Sequence, residues 1–311
     1  MSGDSVGADV GVICGPTAAG KTAVAFWIAT QMPVTIIVAD SRQIYRSFDI
    51  GTAKATADEQ HRVPHRGLDV AEPCQRYSAA AWSQSAVTWI EQATCGGRIP
   101  LVVGGTGLYL RALFDGLSEQ PPLDADRLER LRVVLSHLDS IELRRWVARL
   151  DPPRAHLGRA QLLRAVEMAL LSGRRLSDCH RESRPLARWT ARYLLVDPGT
   201  VLASRIESRT DDMLANGWPA EVERLMSTVP ADAPAWTATG YDTVRALVGG
   251  AMTHRVAREA ILLRTRQYAK RQRTWFRHQL PVDRVTRIDP LAGAWEAAVT
   301  RWLGGLTRSS R

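Results

Sequence analysis

The sequence predicts an α/β protein, a parallel sheet flanked by helices and interrupted by a helical insertion. Three observations predict it. A glycine-bracketed loop joins an apolar run to a helix-forming run near the start of the chain. Two further β-branched apolar runs follow, separated by helical patterns. The composition then shifts, from about residue 118, to an arginine-rich helical stretch before another apolar run returns. Strands alternating with helices build parallel sheets, because a parallel pair needs a crossover between its strands.

The loop is Gly15, Pro16, Thr17, Ala18, Ala19, Gly20, Lys21 and Thr22, which fits G-x-x-x-x-G-K-[ST]. Val10 to Cys14 before it reads as a strand, and Ala23 to Met32 after it reads as a helix. That context marks a P-loop, so the fold expected is P-loop NTPase-like. The glycines let the backbone curl until successive N–H groups face one anion, and the helix start adds its positive dipole end. Lys21 supplies a point charge. The Thr22 hydroxyl is placed to ligate Mg²⁺, the expected cofactor. The loop announces a di- or triphosphate without saying which.

Val34 to Asp40 is a continuous apolar run ending in a carboxylate, as a buried parallel strand reads. The polar segment 41–54, with Arg42, Gln43, Tyr45, Arg46 and Lys54, should lie at the carboxyl edge of the sheet, where α/β folds bind ligands. Tyr77 to Cys95 reads as a helix with Ser78 as N-cap. Ile99 to Thr106 is another buried strand running into glycines, followed by a helix from Gly107 to Leu113.

Ser118 to Asp124 is a linker-like break, and Ala125 to Leu176 is helical in pattern. Tyr193 to Asp197 reads as a strand rejoining the sheet. Residues 1–117 and 191–311 are therefore expected to form the core, with 118–190 as the insertion. Helices are expected over Val201–Ala215, Pro219–Met226, Thr243–Leu247 and Arg255–Arg277. The last carries Arg264, Arg266, Lys270, Arg271, Arg273 and Arg277, interleaved with Tyr268, Trp275 and Phe276. Arginine with aromatic residues suits a nucleic-acid backbone and its bases; the competing reading is a solvated basic helix.

Bulk composition narrows the function classes. Hydrophobic content of 45% and charged content of 23% are those of a globular protein. Lys and Arg number 41 against 32 Asp and Glu, a net +9, which suits a polyanionic partner. Cys14, Cys74, Cys95 and Cys179 lie far apart and lack zinc spacing, as expected for free thiols in a reducing cytoplasm. His61 and His65 have no third ligand at metal spacing and read as structural or loop residues. The N-terminus lacks a signal-peptide pattern, and no apolar run approaches the roughly 20 residues of a membrane span.

Asp40 ends a strand beside the P-loop strand. It reads either as a carboxylate that helps hold Mg²⁺ through water or as a general base facing an acceptor. Gly104, Gly105 and Thr106 offer amides and a hydroxyl at the same edge. Arg205 and Arg209, four apart on one helix face, suit phosphate.

With these pieces in hand, the chain resembles the tRNA dimethylallyltransferases, also called tRNA isopentenyltransferases. The matching segments are GPTAAGKT (15–22), DSRQIYR (40–46), DIGTAK (49–54), PHRGLD (64–69), YSAAAW (77–82), GGTGLYLRAL (104–113), QLLRAVE (161–167), RIESR (205–209), GYDTVRAL (240–247) and KRQRTWFR (270–277). They span nearly the whole chain. The resemblance implies transfer of a dimethylallyl group from dimethylallyl diphosphate to N6 of adenosine 37, next to the tRNA anticodon. It implies Asp40 as the base, with Thr106 and Arg205 also catalytic. The P-loop, with Arg209, would hold the diphosphate, and Thr22 the metal. The anticodon stem-loop would be met by Asp40, Ser41, Arg42, Gln43 and Thr106. Also implied in tRNA contact are Gln161, Leu162, Leu163, Arg164, Ala165, Gly240, Tyr241, Lys270, Arg271 and Arg273. A monomer is expected, without membrane association.

The sequence departs from the family pattern at Arg66, Gly158, Arg159 and Gln161, and no zinc-finger tail follows the basic helix, as in the bacterial form. Three other readings are weighed. An adenylate isopentenyltransferase would need neither the insertion nor the basic helix. A small-molecule kinase would use ATP at the same loop. A nucleic-acid-binding NTPase would turn over ATP on RNA.

Overall fold

The structure, a computed structural model, describes residues 9–117, 121–182 and 188–308. Residues 118–120 of the expected linker and the N-terminal residues 1–8 lie outside it. The chain forms two compact units, Met1–Phe114 with Arg188–Arg311, and Asp115–Ala187.

The first unit is built on a six-stranded parallel sheet of order β3-β2-β4-β1-β5-β6. Its strands are β1 (Asp9–Cys14), β2 (Val34–Ala39), β3 (His65–Arg66), β4 (Ile99–Gly104), β5 (Thr190–Val196) and β6 (Val285–Ile288). Cys14 on β1 stands beside Gly104 on β4 and Leu195 on β5, and Ala39 on β2 is level with Gly104. The loops after β1, β2 and β4 therefore emerge together at one carboxyl edge. That edge is where strand order reverses about β1, and such switch points open the ligand crevice of this fold class. Val12, Ile13, Ile37, Leu101 and Val102 are fully buried in these strands, at about 1.5–3 kcal/mol each.

The helices of this unit are α1 (Lys21–Gln31), α2 (Ala57–Arg62), α3 (Ala79–Cys95) and α4 (Gly107–Phe114). After the insertion come α9 (Leu202–Ala215), α10 (Trp218–Thr228), α11 (Tyr241–Val248), α12 (His254–Gln279) and α13 (Trp295–Arg308). Ser78 caps α3 by accepting from the Ala81 amide. The Trp82 indole donates to the Val38 carbonyl at 3.0 Å, pinning α3 against β2.

The second unit holds α5 (Ala125–Ser136), α6 (Ser140–Leu150), α7 (Arg159–Ser172) and α8 (Leu176–Glu182). Asp139 and Glu142 close a capping box at the start of α6. Leu135, Leu143, Val147, Leu162, Ala165 and Val166 make its core. No helix among the described residues is long and apolar enough to cross a membrane.

Candidate active site

The P-loop wraps the carboxyl end of β1 by means of three left-handed residues. Gly15 has φ +149°, and a Cβ there would fall 2.2 Å from the Val196 carbonyl oxygen, so no other residue fits. Ala18 (φ +61°) and Gly20 (φ +100°) complete the curl. A left-handed alanine is locally unfavourable; here it belongs to the bend that turns loop amides toward one point. The Lys21 ammonium donates to the Gly15 and Pro16 carbonyls at 3.0 and 2.8 Å. Burial, reinforced by the Arg209 charge, pulls its pKa down to about 8, against the opposing pull of Asp40.

Helix α9 supplies the second cationic wall. Arg205 Nε donates to the Ala18 carbonyl at 2.8 Å, and Arg209 reaches the Thr17 hydroxyl at 3.5 Å. Burial lowers the Arg209 pKa, again with Asp40 opposing. Thr22 lies on the first turn of α1, exposed toward the same cavity.

Asp40 and Thr106 leave adjacent strands. The Thr106 amide donates to the Ala39 carbonyl at 3.2 Å, and the Ser41 amide donates to Thr106 Oγ1 at 3.1 Å. Asp40 Oδ1 accepts from the Arg42 amide at 2.8 Å, which orients the carboxylate. Tyr268 from α12 lines the same cavity, and burial raises its pKa to about 12.

Thr17 to Thr22, Asp40, Gly104, Arg205, Arg209 and Tyr268 line one cavity of about 690 Å³, with Thr106 outside the lining. The P-loop, Arg205 and Arg209 occupy one wall, and Asp40, Arg42 and Gln43 belong to the same lining. Apolar surface comes from Ile36, Val38, Val103, Ile206, Met213 and Ile261. Such a cavity accepts a polyanion joined to a small apolar group, with a carboxylate beside it. Among the described residues no group of three His, Cys, Asp or Glu could hold a metal ion. The oxygen donors in the lining include the Thr22 hydroxyl and the Asp40 carboxylate. They suit an ion that arrives with a diphosphate supplying most of its oxygens, and not a cage built by the protein alone.

Several residues expected at an RNA surface lie elsewhere. Leu162 and Ala165 are fully buried in the core of the second unit, so their side chains meet no solvent-borne partner. Leu163 packs partly against that core, Arg164 pairs with buried Glu167 at 3.3 Å, and Gln161 caps α7 through the Gly158 amide at 3.3 Å. Tyr241 is buried and donates to Glu221 at 2.5 Å, while a Cβ at Gly240 would strike the Trp218 ring at 2.5 Å. Gly240 and Tyr241 are packing residues. Arg273 is paired with Asp197, its Nε donating to Oδ2 at 3.0 Å. The aromatics of α12 face inward too. Phe276 is buried, and Trp275 fills the space a Gly107 side chain would need. Lys270 and Arg271 remain exposed, with Arg271 lying 5.8 Å from the Tyr268 ring centroid.

Glu221, Gln272 and the paired role of Lys54 within the 41–54 segment are not among the sequence-based expectations. Buried Glu221 accepts from the Asp49 and Ile50 amides at 3.0 and 2.6 Å, which anchors the 49–54 loop. Lys54 is buried between Asp49 and Asp69, at 2.5 and 2.6 Å. Gln272 accepts from the Thr17 amide at 2.8 Å and donates to the Gly105 carbonyl at 2.9 Å. A signal for the last existed, because Ile261, Thr265, Tyr268 and Gln272 recur at helical spacing as an uncharged stripe along α12, and all line the cavity.

Comparison with known proteins follows the same lines. A family model described as IPP transferase matches residues 43–279, and one described as isopentenyl transferase matches residues 8–66. The tRNA dimethylallyltransferase of Synechococcus elongatus is 40% identical over 278 residues, 86% of each chain. That of Acaryochloris marina is 36% identical over 297 residues, 92% of this chain and 95% of its own. The full-length tRNA isopentenylpyrophosphate transferase of Bacillus halodurans superposes with a TM-score of 0.70 at 29% identity, covering 97% of this chain and 98% of that one. A eukaryotic dimethylallyltransferase crystallised acting on tRNA superposes at 0.79 over 98% of this chain and 80% of its own. At 24% identity that likeness is one of fold.

Proposed function

The chain belongs to the IPP transferase family, and from that premise we propose that it is a tRNA dimethylallyltransferase. It moves a dimethylallyl group from dimethylallyl diphosphate to N6 of adenosine 37 of tRNA and releases diphosphate. The observation that carries this reading is a single cavity in which the P-loop cations, an oriented carboxylate and an apolar lining occur together.

The chemistry follows from the residues. The bond from the allylic carbon to the diphosphate oxygen breaks, the carbon–nitrogen bond to N6 forms, and N6 loses a proton. The allylic carbon tolerates developing positive charge, so the larger task is to stabilise the leaving diphosphate. Loop amides, Lys21, Arg205 and Arg209 are aimed at that charge before it develops. Asp40, held by the Arg42 amide, accepts the N6 proton, and general-base help of this kind is worth about 10²–10⁴-fold. The hydrogen-bonded Thr106 hydroxyl helps orient the adenine. The Thr22 hydroxyl would help hold Mg²⁺, which would supply further neutralisation of the leaving diphosphate.

Adenosine 37 reaches this cavity only after leaving its stack, so the reading requires base flipping. Lys270 and Arg271 on the first unit and the basic helices of the insertion offer cations to the tRNA backbone. The 118–190 stretch serves as an insertion for tRNA, and the enzyme works as a cytoplasmic monomer.

The test incubates the protein with dimethylallyl diphosphate, Mg²⁺ and unmodified tRNA, followed by mass spectrometry of the released nucleosides. Prenylated adenosine at position 37 is expected. Prenylation of AMP in preference to tRNA, or ATP-dependent phosphorylation without prenyl transfer, would replace the proposal with one of its rivals.

A further inference from the structure

Gln272 is the residue at which the P-loop and the β4 loop meet. Its side chain is 6% exposed and sits among backbone groups of residues far away in sequence. Oε1 accepts from the Thr17 amide at 2.8 Å, and Nε2 donates to the Gly105 carbonyl at 2.9 Å. The orientation of the amide is determined by its partners. Flipping it would set NH₂ against an N–H and a carbonyl oxygen against a carbonyl oxygen. Both partners belong to functional loops: Thr17 lies in the P-loop, and Gly105 immediately precedes Thr106. The close fit reaches Gly105 itself, where a Cβ would approach Gln272 Nε2 to 2.3 Å.

We propose that Gln272 is a positioning residue for diphosphate binding: its amide clamps the Thr17–Ala18 turn of the P-loop to the β4 loop, holding the phosphate cradle open and in register with the acceptor side. This rests on the transferase reading for the identity of the ligand, whereas the clamp is a matter of geometry. The clamp occupies the Thr17 N–H, so the anion is left to the later amides of the loop, to Lys21 and to the arginines of α9. Thr17 keeps its hydroxyl toward Arg209, and Ala18, next in the chain, has both a left-handed backbone and a carbonyl that accepts from Arg205. Releasing Thr17 disturbs every one of these contacts. Both ends of the Gln272 amide are committed to protein backbone, and so its loss acts on substrate affinity before turnover.

The experiment uses the full-length enzyme and two perturbations of the clamp from opposite sides. Gln272→Met keeps the side-chain length and removes both hydrogen bonds. Gly105→Ala leaves Gln272 in place and pushes its amide away. Affinity for inorganic diphosphate with Mg²⁺ is measured by calorimetry without tRNA, and KM and kcat for dimethylallyl diphosphate are measured with saturating tRNA. Each variant should weaken diphosphate binding and raise KM by about tenfold or more, the scale of one orphaned backbone group. Turnover at saturation should stay within about threefold, and tRNA affinity should be unchanged. The double variant should lose little beyond the larger single loss, because both break the same clamp.

Unchanged diphosphate affinity in Gln272→Met, an equal loss of tRNA affinity, or fully multiplicative effects in the double variant would overturn the proposal. Should Gln272→Met melt far below the wild type, Gly105→Ala decides by the same criteria. Wild-type binding of diphosphate without tRNA prenylation would instead defeat the transferase reading and leave the clamp standing.

Discussion

Replacing Lys21 with Met tests whether the P-loop is held in readiness for an anion at a cost to the ligand-free fold. The pKa of Lys21 falls from 10.5 to about 8, chiefly by burial. That drop corresponds to ~3.5 kcal/mol, at ~1.4 kcal/mol for each tenfold change in proton affinity. Lys21 is only partly buried by accessible area, so solvent screening reduces the figure to about 1.5 kcal/mol. The sign is opposite to that of a lysine that gains a partner. Below pH 8 the ammonium is charged in both folded and unfolded chains, and the full penalty is present. Between pH 8 and 10.5 the unfolded chain holds more protons, so stability rises with pH until the penalty is gone. Melting temperatures of wild type and Lys21→Met should be recorded from pH 7 to 10.5. Taking the difference between them removes what both chains share, including the Cys14 thiol, which titrates near 9.0 when unfolded and is pushed up to about 12 by burial when folded. Wild type should gain about 3–6 °C on the variant across that range, at about 2–4 °C per kcal/mol for proteins of roughly this size. Diphosphate reverses the balance by restoring the proton, so wild-type affinity for diphosphate should fall as pH rises above 8, approaching tenfold per unit. A melting difference that stays flat with pH would refute the reasoning, whatever happens to activity.

Asp40→Asn should bind both substrates yet turn over about 10²–10⁴-fold more slowly, and a single-turnover rate rescued by added Mg²⁺ would show that Asp40 holds metal instead. Thr22→Ala should respond in the opposite way, with weaker prenyl diphosphate binding that extra Mg²⁺ partly restores; a titration of rate against Mg²⁺ distinguishes the two. Replacing Lys270 and Arg271 together with Ala should weaken tRNA binding and lower the slope of log affinity against log salt by about 2, roughly one per lost phosphate contact, while diphosphate binding stays intact. Glu221→Leu should destabilise the fold by about 2–4 kcal/mol, since two loop amides and the Tyr241 hydroxyl lose a buried acceptor; a chemical-denaturation curve that matches wild type would remove Glu221 from the account of the 49–54 loop.

Much of the sheet was legible because its strands are buried on both faces. Uninterrupted apolar runs at 10–14, 34–39 and 99–104 leave few other readings. The edge strands were not legible. His65–Arg66 is two residues long, and Val285–Ile288 is broken by half-buried Thr286 and exposed Arg287, so neither produces a run. Helix α13 is obscured by Gly304 and Gly305, poor helix formers in a helix that Val299, Trp302, Leu303 and Leu306 anchor in the core. At the site, the contiguous elements were readable: the P-loop states its anion in eight residues, and Asp40 ends a strand aimed at it. The motif segments are not uniform surfaces. The segment 161–165 contains both Leu162 and Arg164, and its apolar members follow the helical period that fills the core of the insertion. The basic helix α12 divides the same way, with its uncharged stripe turned into the cavity and Lys270 and Arg271 turned out. A helix placed so that one face completes a catalytic cavity and the other offers cations has its sequence written by two demands at once. Gln272 belongs to the first, yet sits among the residues of the second. The contacts that explain it, Thr17 and Gly105, are 255 and 167 residues away in the chain, and no local pattern carries information over that separation.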